Sequence, residues 1–276
     1  MTVPQLPLLR GDQRGRPALL AQVALLSAFL LAYDALRNLA PGRFPQAFAN
    51  AGRVLRVEHA AAFDIERTVN AWVAAHGHLA LALSTYYDSA HYLVTLPLLA
   101  AVYVARPAHY RGLRNVLVVT NAVGLIGFAA FPLAPPRMLP GYVDTVATTG
   151  ALGGWAHTIA ANANELAAMP SLHAGWALWC LLVAVRVTHV RWVRALAGAH
   201  AALTVVVVVA TANHYLLDAV AGAACLAVAV LVVRAAPHRG RGARPPLVAA
   251  HPDQVSPDEA APTLPDHTRG EPVGVC

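Results

Sequence analysis

Long apolar stretches recur along the chain and are separated by short polar connections. A helix needs about 20 mostly apolar residues to cross the hydrocarbon layer of a bilayer. Six stretches approach this length, at 18–36, 90–105, 115–133, 171–187, 193–211 and 214–234. The start of the second stretch lies between Leu79 and Ala90. The pattern predicts an all-α fold, a six-transmembrane helical bundle.

Two other segments are too polar to cross a membrane. The stretch 44–78 carries Glu58, Asp64 and Glu66 together with three arginines among apolar residues, which is typical of interfacial helices. We therefore expect interfacial helices between the first two spans. From Pro237 onward the chain is rich in Pro, Arg, Asp and Gly and has no apolar periodicity, which predicts a disordered C-terminal tail.

The composition agrees with a membrane protein, because 57% of the residues are hydrophobic and only 12% are charged, against about 25% charged residues in soluble domains. All 20 basic residues are arginines, and the net charge is +6. They lie beside the apolar stretches rather than in a stripe with interleaved aromatics, so we expect no nucleic-acid partner. The bias towards Arg, Ala, Val and Pro is typical of GC-rich coding, and we expect a bacterial cell membrane.

The arginines also predict the orientation in the membrane. An even number of spans places both termini on one side, and most of the arginines lie on that side. Opposite them are Arg137 and a cluster between the first two spans, so the positive-inside rule favours cytoplasmic termini. The loop 134–170 and the turn before His214 then face the outer side. The predicted organisation is a cytoplasmic N-terminus at 1–17, a membrane domain at 18–236 and a cytoplasmic tail at 237–276.

Three segments on the outward side concentrate reactive side chains, and each adjoins a predicted span. They are APPRMLPGYVDT at 134–145, ELAAMPSLHAGW at 165–176 and TANHYLLDAVAG at 211–222. Ionisable groups at membrane depth cost several kcal/mol unless they are paired or hydrated. These segments are therefore the predicted functional site.

His214 and Asp218 are four residues apart at the start of the last span, which predicts that they share one helical face. The carboxylate would orient the imidazole and leave its other ring nitrogen free as a nucleophile or base. The alternative is that Asn213 caps this helix and that the His–Asp pair merely lines the bundle. Both interpretations remain open on this segment alone.

The segment around Pro170 predicts a helix start whose free N–H groups can bind an anion. A phosphate there would meet Ser171 and the following amides, and His173 could protonate a leaving oxygen. The alternative is a serine that only caps the helix and a histidine in an interfacial aromatic belt. A serine nucleophile is disfavoured, because Ser171 and His173 are two residues apart and no G-x-S-x-G surrounds them.

Arg137 follows two prolines directly after the third span. Its planar guanidinium suits a two-pronged grip on phosphate oxygens, although an ordinary interfacial arginine is the alternative. Asp144 in the same loop and Asn213 beside His214 are candidate contacts for a polar head group.

In this order the three segments resemble the type 2 phosphatidic acid phosphatase superfamily, which has an arginine-containing first motif, a P-S-x-H motif and an H-x-x-x-D motif. The matching residues are Arg137, then Pro170 to His173, then His214 to Asp218. The resemblance implies that His214 forms a phosphohistidine, oriented by Asp218, with His173 as acid and base. It implies that Arg137 and Ser171 hold the phosphate, without metal or cofactor. The implied substrate is a membrane lipid phosphoester.

Two departures refine the resemblance. Phosphatases of the superfamily usually have a lysine seven residues before the arginine and a Ser-Arg pair before the last histidine, where this chain has Ala130, Val208 and Val209. The surrounding P-P-R, G-Y-V-D-T, M-P-S-L-H and N-H-Y-x-x-D are similar to the branch that contains fungal inositol phosphorylceramide synthase. This implies a phosphotransferase with a polyol or lipid alcohol as acceptor, whereas water as acceptor would give a phosphatase.

Two rival functions remain. A membrane metalloenzyme could use His173, His214, Asp218 and Glu165, but no HExxH pattern is present. A non-catalytic transporter could line a pathway with the same residues, but no inverted repeat is visible and the residues gather at one membrane face. The sequence makes no prediction of the oligomeric state.

Overall fold

The computed structural model describes residues 17–37, 41–63, 65–150 and 165–236. The predicted tail at 237–276 and nearly all of the predicted N-terminal segment at 1–17 lie outside the described residues.

The described residues form an all-helical fold, as predicted. The helices are α1 (Leu19–Arg37), α2 (Phe44–Ala60), α3 (Glu66–Ala74), α4 (Gly77–Ala105), α5 (Pro107–Ala130), α6 (Thr145–Thr149), α7 (Leu172–Val187), α8 (Arg191–Ala210) and α9 (Leu216–Ala235). Short 3-10 turns lie at Pro41–Arg43 and Pro136–Met138. Within these ranges the β structure is a single isolated bridge between Leu133 and Ala167.

Four helices, α4, α5, α8 and α9, are long and apolar enough to cross a membrane. They correspond to the second, third, fifth and sixth predicted spans. The fourth prediction forms α7, whose 16 residues extend for only about 24 Å at 1.5 Å per residue, short of the ~30 Å hydrocarbon layer. The apolar helix Leu19–Phe29 within α1 is also too short, so the first and fourth spans stay predictions.

The described surface of these helices is rich in large apolar side chains. Leu93 on α4, Ile126 on α5 and Leu231 on α9 are each exposed over 64% or more of their surface. Exposed apolar surface on this scale indicates an environment other than water. It is the arrangement expected of helices that face lipid.

The second span begins at Gly77, just before Leu79, which is the earliest start that the sequence predicts. The run Tyr86 to His91 lowers the hydropathy of this stretch but contains neither Pro nor Gly, so nothing in it interrupts a helix. The Asp88 and His91 side chains in this run are partly buried within the bundle.

The bundle interior lies between α4, α5, α7 and α9. Trp179 is fully buried there, and its indole N–H donates to the backbone carbonyl of Leu113 at 2.9 Å. At the end of the bundle that is predicted to face outward, small residues allow α9 to approach the start of α7 more closely. A Cβ on Gly222 of α9 would overlap the carbonyl oxygen of Ser171. The start of α7 is therefore fitted tightly against α9.

Helices α2 and α3, formed by the segment predicted to be interfacial, pack over the loops at this same end. Buried Asn50 on α2 donates to the backbone oxygen of Pro132 at 2.8 Å. Asn70 on α3 donates to the backbone oxygens of Val143 and Ala210 at 3.0 and 3.1 Å. This packing ties the loop after α5 to the end of α8, while an interfacial location of α2 and α3 stays a prediction.

Candidate active site

The three chemically reactive segments meet at one end of the bundle. The first follows α5, the second leads into α7, and the third connects α8 to α9. Their side chains reach one another because α7 and α9 start side by side, where the N–H of Ser171 donates to the backbone oxygen of Asp218 at 2.9 Å.

His214 is held by its Nδ1 atom. The residue is 4% exposed, and Nδ1 lies 2.8 Å from the carbonyl oxygen of Ala168 and 3.3 Å from Oδ2 of Asp218. A carbonyl oxygen only accepts, so Nδ1 carries a proton, and in the neutral form of the ring Nε2 then keeps its lone pair. That Nε2 lies 3.4 Å from Nδ1 of His173.

The spacing predicts that His214 and Asp218 share one helical face, and this prediction is wrong. Helix α9 begins at Leu216, two residues after His214, with Tyr215 as its N-cap. Oδ2 of Asp218 accepts the N–H of Tyr215 at 2.9 Å, and this bond folds the chain back so that the imidazole meets the carboxylate. Asp218 is fully buried, and its Oδ1 has no donor among the described residues.

Aromatic side chains from α4 surround His173. Its ring stacks on Tyr87 with centroids 4.4 Å apart and meets the edge of His91 at the same distance. The sequence analysis singled out neither residue, because both lie outside the three reactive segments, at the uncertain start of the second predicted span. The available signal was a pair four residues apart, Tyr87 and His91, in a polar run bordered by apolar helix.

Arg137 lies against the turn that carries His214. Its backbone N–H donates to the oxygen of Ala212 at 2.8 Å, and Nη1 donates to the amide oxygen of Asn213 at 2.8 Å. Its Nε lies 3.4 Å from Oδ2 of Asp144. Asn213 thus binds Arg137 and does not cap α9. The side-chain link from Arg137 to the histidine segment runs through Asn213.

Asp144 has a second role beside this ion pair. Its Oδ1 accepts the N–H of Ala147 at 3.0 Å and so caps the short helix α6. Asp88 on α4 interacts electrostatically with both Arg137 and Asp144. Arg137 therefore interacts with two carboxylates, one from the loop and one from α4, a group of charges suited to a polar ligand.

Ser171 is fully buried and is the N-cap of α7, where its Oγ accepts the N–H of Ala174 at 3.3 Å. The backbone N–H groups of Leu172 and His173 have no acceptor among the described residues. Free N–H groups in the first turn of a helix attract anions. The capping interpretation of Ser171 and the anion-binding interpretation of the segment are thus compatible.

Two acidic residues that the sequence analysis left unassigned approach α9 from the other helices. Glu58 on α2 accepts the N–H of Leu217 at 2.8 Å, and Glu66 on α3 accepts the N–H of Leu216 at 3.1 Å. Burial raises the pKa of Glu58 to about 8, and the nearby Glu66 adds to this rise, whereas the Leu217 N–H opposes it. Burial likewise raises the pKa of Tyr215.

The seven residues singled out in the sequence thus belong to one connected group at one end of the bundle. Direct contacts join His214, His173, Asp218 and Ser171, while Arg137, Asn213 and Asp144 form a second cluster beside them. Among the described residues, no three His, Cys, Asp or Glu side chains are placed to hold a metal ion.

Comparison with known families places the chain in a superfamily. A family model described as PAP2 superfamily matches residues 52–232, about two-thirds of the chain. The matched region contains all seven of these residues. No curated protein and no solved structure matches the chain significantly.

Proposed function

Since the chain belongs to the PAP2 superfamily, we propose that it is an integral membrane phosphotransferase that acts on a lipid phosphoester through a phosphohistidine on His214. One observation carries the proposal: Nδ1 of His214 is held by the Ala168 carbonyl and by Asp218, which leaves Nε2 directed at His173. An imidazole held in this way is a preorganised nucleophile with an acid beside it.

In the first step Nε2 of His214 attacks phosphorus, and the bond from phosphorus to the leaving oxygen breaks. The imidazole gains a positive charge as the N–P bond forms, and the buried Asp218 carboxylate at 3.3 Å stabilises this charge. His173 donates a proton to the departing alcohol. The products are a free lipid alcohol and the phosphoenzyme.

In the second step a hydroxyl group attacks the phosphohistidine, and the N–P bond breaks. His173, now neutral, takes the proton of the incoming hydroxyl, so that both histidines return to their starting state. A polyol or lipid alcohol as acceptor gives a transferase, and water gives a phosphatase. The resemblance to inositol phosphorylceramide synthases favours the alcohol.

Phosphate binding would fall to Arg137 and to the start of α7. Phosphoryl transfer depends on stabilising the charge of the equatorial oxygens. Arg137 supplies a guanidinium, and the N–H groups of Leu172 and His173 supply a helix end. Val208 and Val209, which replace the usual Ser-Arg pair, are buried at 1% and 5% exposure and bring no charge.

Lipid analysis tests this function directly. Detergent-purified protein is incubated with candidate lipid phosphoesters, with and without polyols such as inositol, and the lipids are then identified by mass spectrometry. We expect a new phosphorylated product that requires the acceptor. Free phosphate as the sole product would instead support the lipid phosphatase, and no turnover of any phosphoester would favour the transporter. Metal analysis of the same protein tests the metalloenzyme.

A further inference from the structure

The first turn of α9 holds three carboxylates rather than one. The N–H of Tyr215 donates to Asp218, that of Leu216 to Glu66 and that of Leu217 to Glu58. The first donation is local, whereas the other two reach residues 150 and 159 positions away in the sequence. The turn that follows His214 is therefore fixed by α2 and α3 as well as by its own chain.

Glu58 and Glu66 are buried almost completely, at 1% and 0% exposure. Each uses Oε1 for the helix N–H, and each Oε2 has no donor among the described residues. Their Oε1 atoms accept N–H groups of adjacent residues, so the two carboxyl groups approach the same turn of α9. The charge of Glu66 and a hydrogen bond to it both help to raise the pKa of Glu58. Two carboxylates that share a buried site do not both ionise at moderate cost, and a helix N-terminus favours a single negative charge beside it.

We infer that Glu58 and Glu66 share one proton and act as positioning residues, holding the first turn of α9 and with it His214. The inference rests on the proposed function of His214 and explains why an amphipathic segment folds over the catalytic end. In the singly protonated pair, the protonated carboxyl donates to the other, and both Oε1 atoms remain available to α9. Loss of the shared proton would place two charges beside Asp218.

The pair does not titrate in isolation. Asp218 and Tyr215 from the start of α9 and Tyr142 from the loop after α5 all interact electrostatically with it. The two tyrosine pKa values are raised, chiefly by burial, so both phenols stay neutral around pH 8. A change in the charge of this cluster near pH 8 is therefore assigned to Glu58, whose pKa is about 8.

Two substitutions of Glu58 separate the effect of the shared proton from the effect of side-chain volume. In Glu58→Gln the amide oxygen still accepts the Leu217 N–H, and the NH2 group supplies a permanent donor to Glu66. In Glu58→Leu both interactions are lost at similar volume. Leu113→Ala is the matched control, because it creates a cavity in the core shared by α4, α5, α7 and α9 and removes no polar contact of the site.

The first measurement is the thermal midpoint from about pH 5 to pH 9, which involves no turnover. The folded protein keeps a proton on Glu58 that the unfolded chain releases near pH 4.5, the ordinary pKa of a glutamate, so stability falls as pH rises from about 4.5 to about 8. Glu58→Gln has no such proton. We expect the thermal midpoint of Glu58→Gln, relative to that of the parent protein, to rise by about 3 °C or more between pH 5 and pH 8. If the thermal midpoints of the two proteins change in parallel with pH, the shared proton is overturned.

The second measurement is the dependence of kcat and KM on pH. We expect Glu58→Leu to lower kcat by about 10-fold or more with KM changed by less than about 2-fold, because the phosphate-binding groups are untouched. The kcat of the parent protein should fall above pH 8, where the shared proton is lost. Glu58→Gln should keep the parental kcat and show no such fall. Leu113→Ala should lower the thermal midpoint and leave kcat alone. Full kcat in Glu58→Leu would overturn the positioning role.

These measurements also keep the inference apart from the proposed function. If the parent protein turns over no phosphoester, the proposed function fails. The thermal midpoints still decide the inference in that case. If Glu58→Gln removes the fall of the thermal midpoint with rising pH, the shared proton is supported. If the fall is unchanged, the shared proton is overturned.

Discussion

The Nδ1 atom of His214 lies 2.8 Å from the carbonyl oxygen of Ala168, nearer than the 3.3 Å that separates it from Asp218. The carbonyl alone is enough to hold the Nδ1–H tautomer, because it has no proton to donate. Asp218 then contributes negative charge more than it selects the tautomer. This division of roles differs from a Ser-His-Asp triad, in which the carboxylate does both.

Asp218→Asn should therefore be impaired only moderately. The amide oxygen can still accept the Tyr215 N–H, and Ala168 still holds the tautomer, so only the charge that stabilises the imidazolium is lost. We expect kcat to fall by about 10- to 100-fold rather than the ~10⁴-fold loss that follows when the tautomer is wrong. Initial rates with a fixed lipid phosphoester measure this. A loss of ~10⁴-fold or more in a folded variant would show that Asp218 selects the tautomer.

A covalent intermediate is expected on His214. In His173→Ala the second step lacks its base, so label from a phosphorus-labelled lipid phosphoester should accumulate on the protein, provided that the first leaving group departs without acid help. Phosphohistidine is stable in base and labile in acid, and the retained label should share both properties. His214→Ala is the control and should never be labelled. Labelling of His214→Ala, or its full turnover, would assign the nucleophile elsewhere.

Arg137→Lys should lose about 10- to 100-fold of the activity while the fold stays intact. An ammonium group is a point charge and does not reproduce the fork that reaches Asn213 and Asp144 at the same time. Arg191→Lys, at the exposed start of α8, is the matched control and should keep full activity. Near-normal turnover in Arg137→Lys would mean that the phosphate is held by other groups.

Gly222→Ala should damage the site through packing alone. Its new methyl group would overlap the backbone oxygen of Ser171, which has no flexible end to move away, and overpacking costs about 1–3 kcal/mol or more. We expect a lower thermal midpoint and reduced turnover. At Gly198 a Cβ meets nothing within 4 Å, so Gly198→Ala should be neutral or slightly stabilising. Equal behaviour of the two variants would contradict the close packing of α7 on α9.

Thiol labelling tests the predicted orientation of the active site towards the outer side. Ala147 is exposed on α6, beside the Asp144 cap, and Cys180 and Cys225 are buried. We expect Ala147→Cys to react with an impermeant reagent in intact cells, and the native Cys276 to react only after permeabilisation. The reverse pattern would place the site on the cytoplasmic side.

The sequence predicted which motif residues lie together better than it predicted the elements that hold them. The motif residues identified the two histidines, because their types and spacings are specific. Tyr87 and His91 were missed because they lie outside the three motif segments, in a polar run at the uncertain start of the second predicted span. Glu58 and Glu66 bind N–H groups about 150 residues away, and the Ala168 carbonyl is a backbone group, so no local pattern marks either relationship.

The tight junction between the start of α7 and α9 has a consequence for how substrate preference can change. Ser171 donates to the Asp218 backbone and lies directly over Gly222, so the segments that carry His173 and His214 form one rigid unit. Asp144 belongs to another part of the chain, the loop after α5, and contacts Arg137. Under the proposed function, substitutions of Asp144 can alter which head group is accepted without changing the contact between the two histidines, so the catalytic pair and this part of the recognition surface can diversify separately.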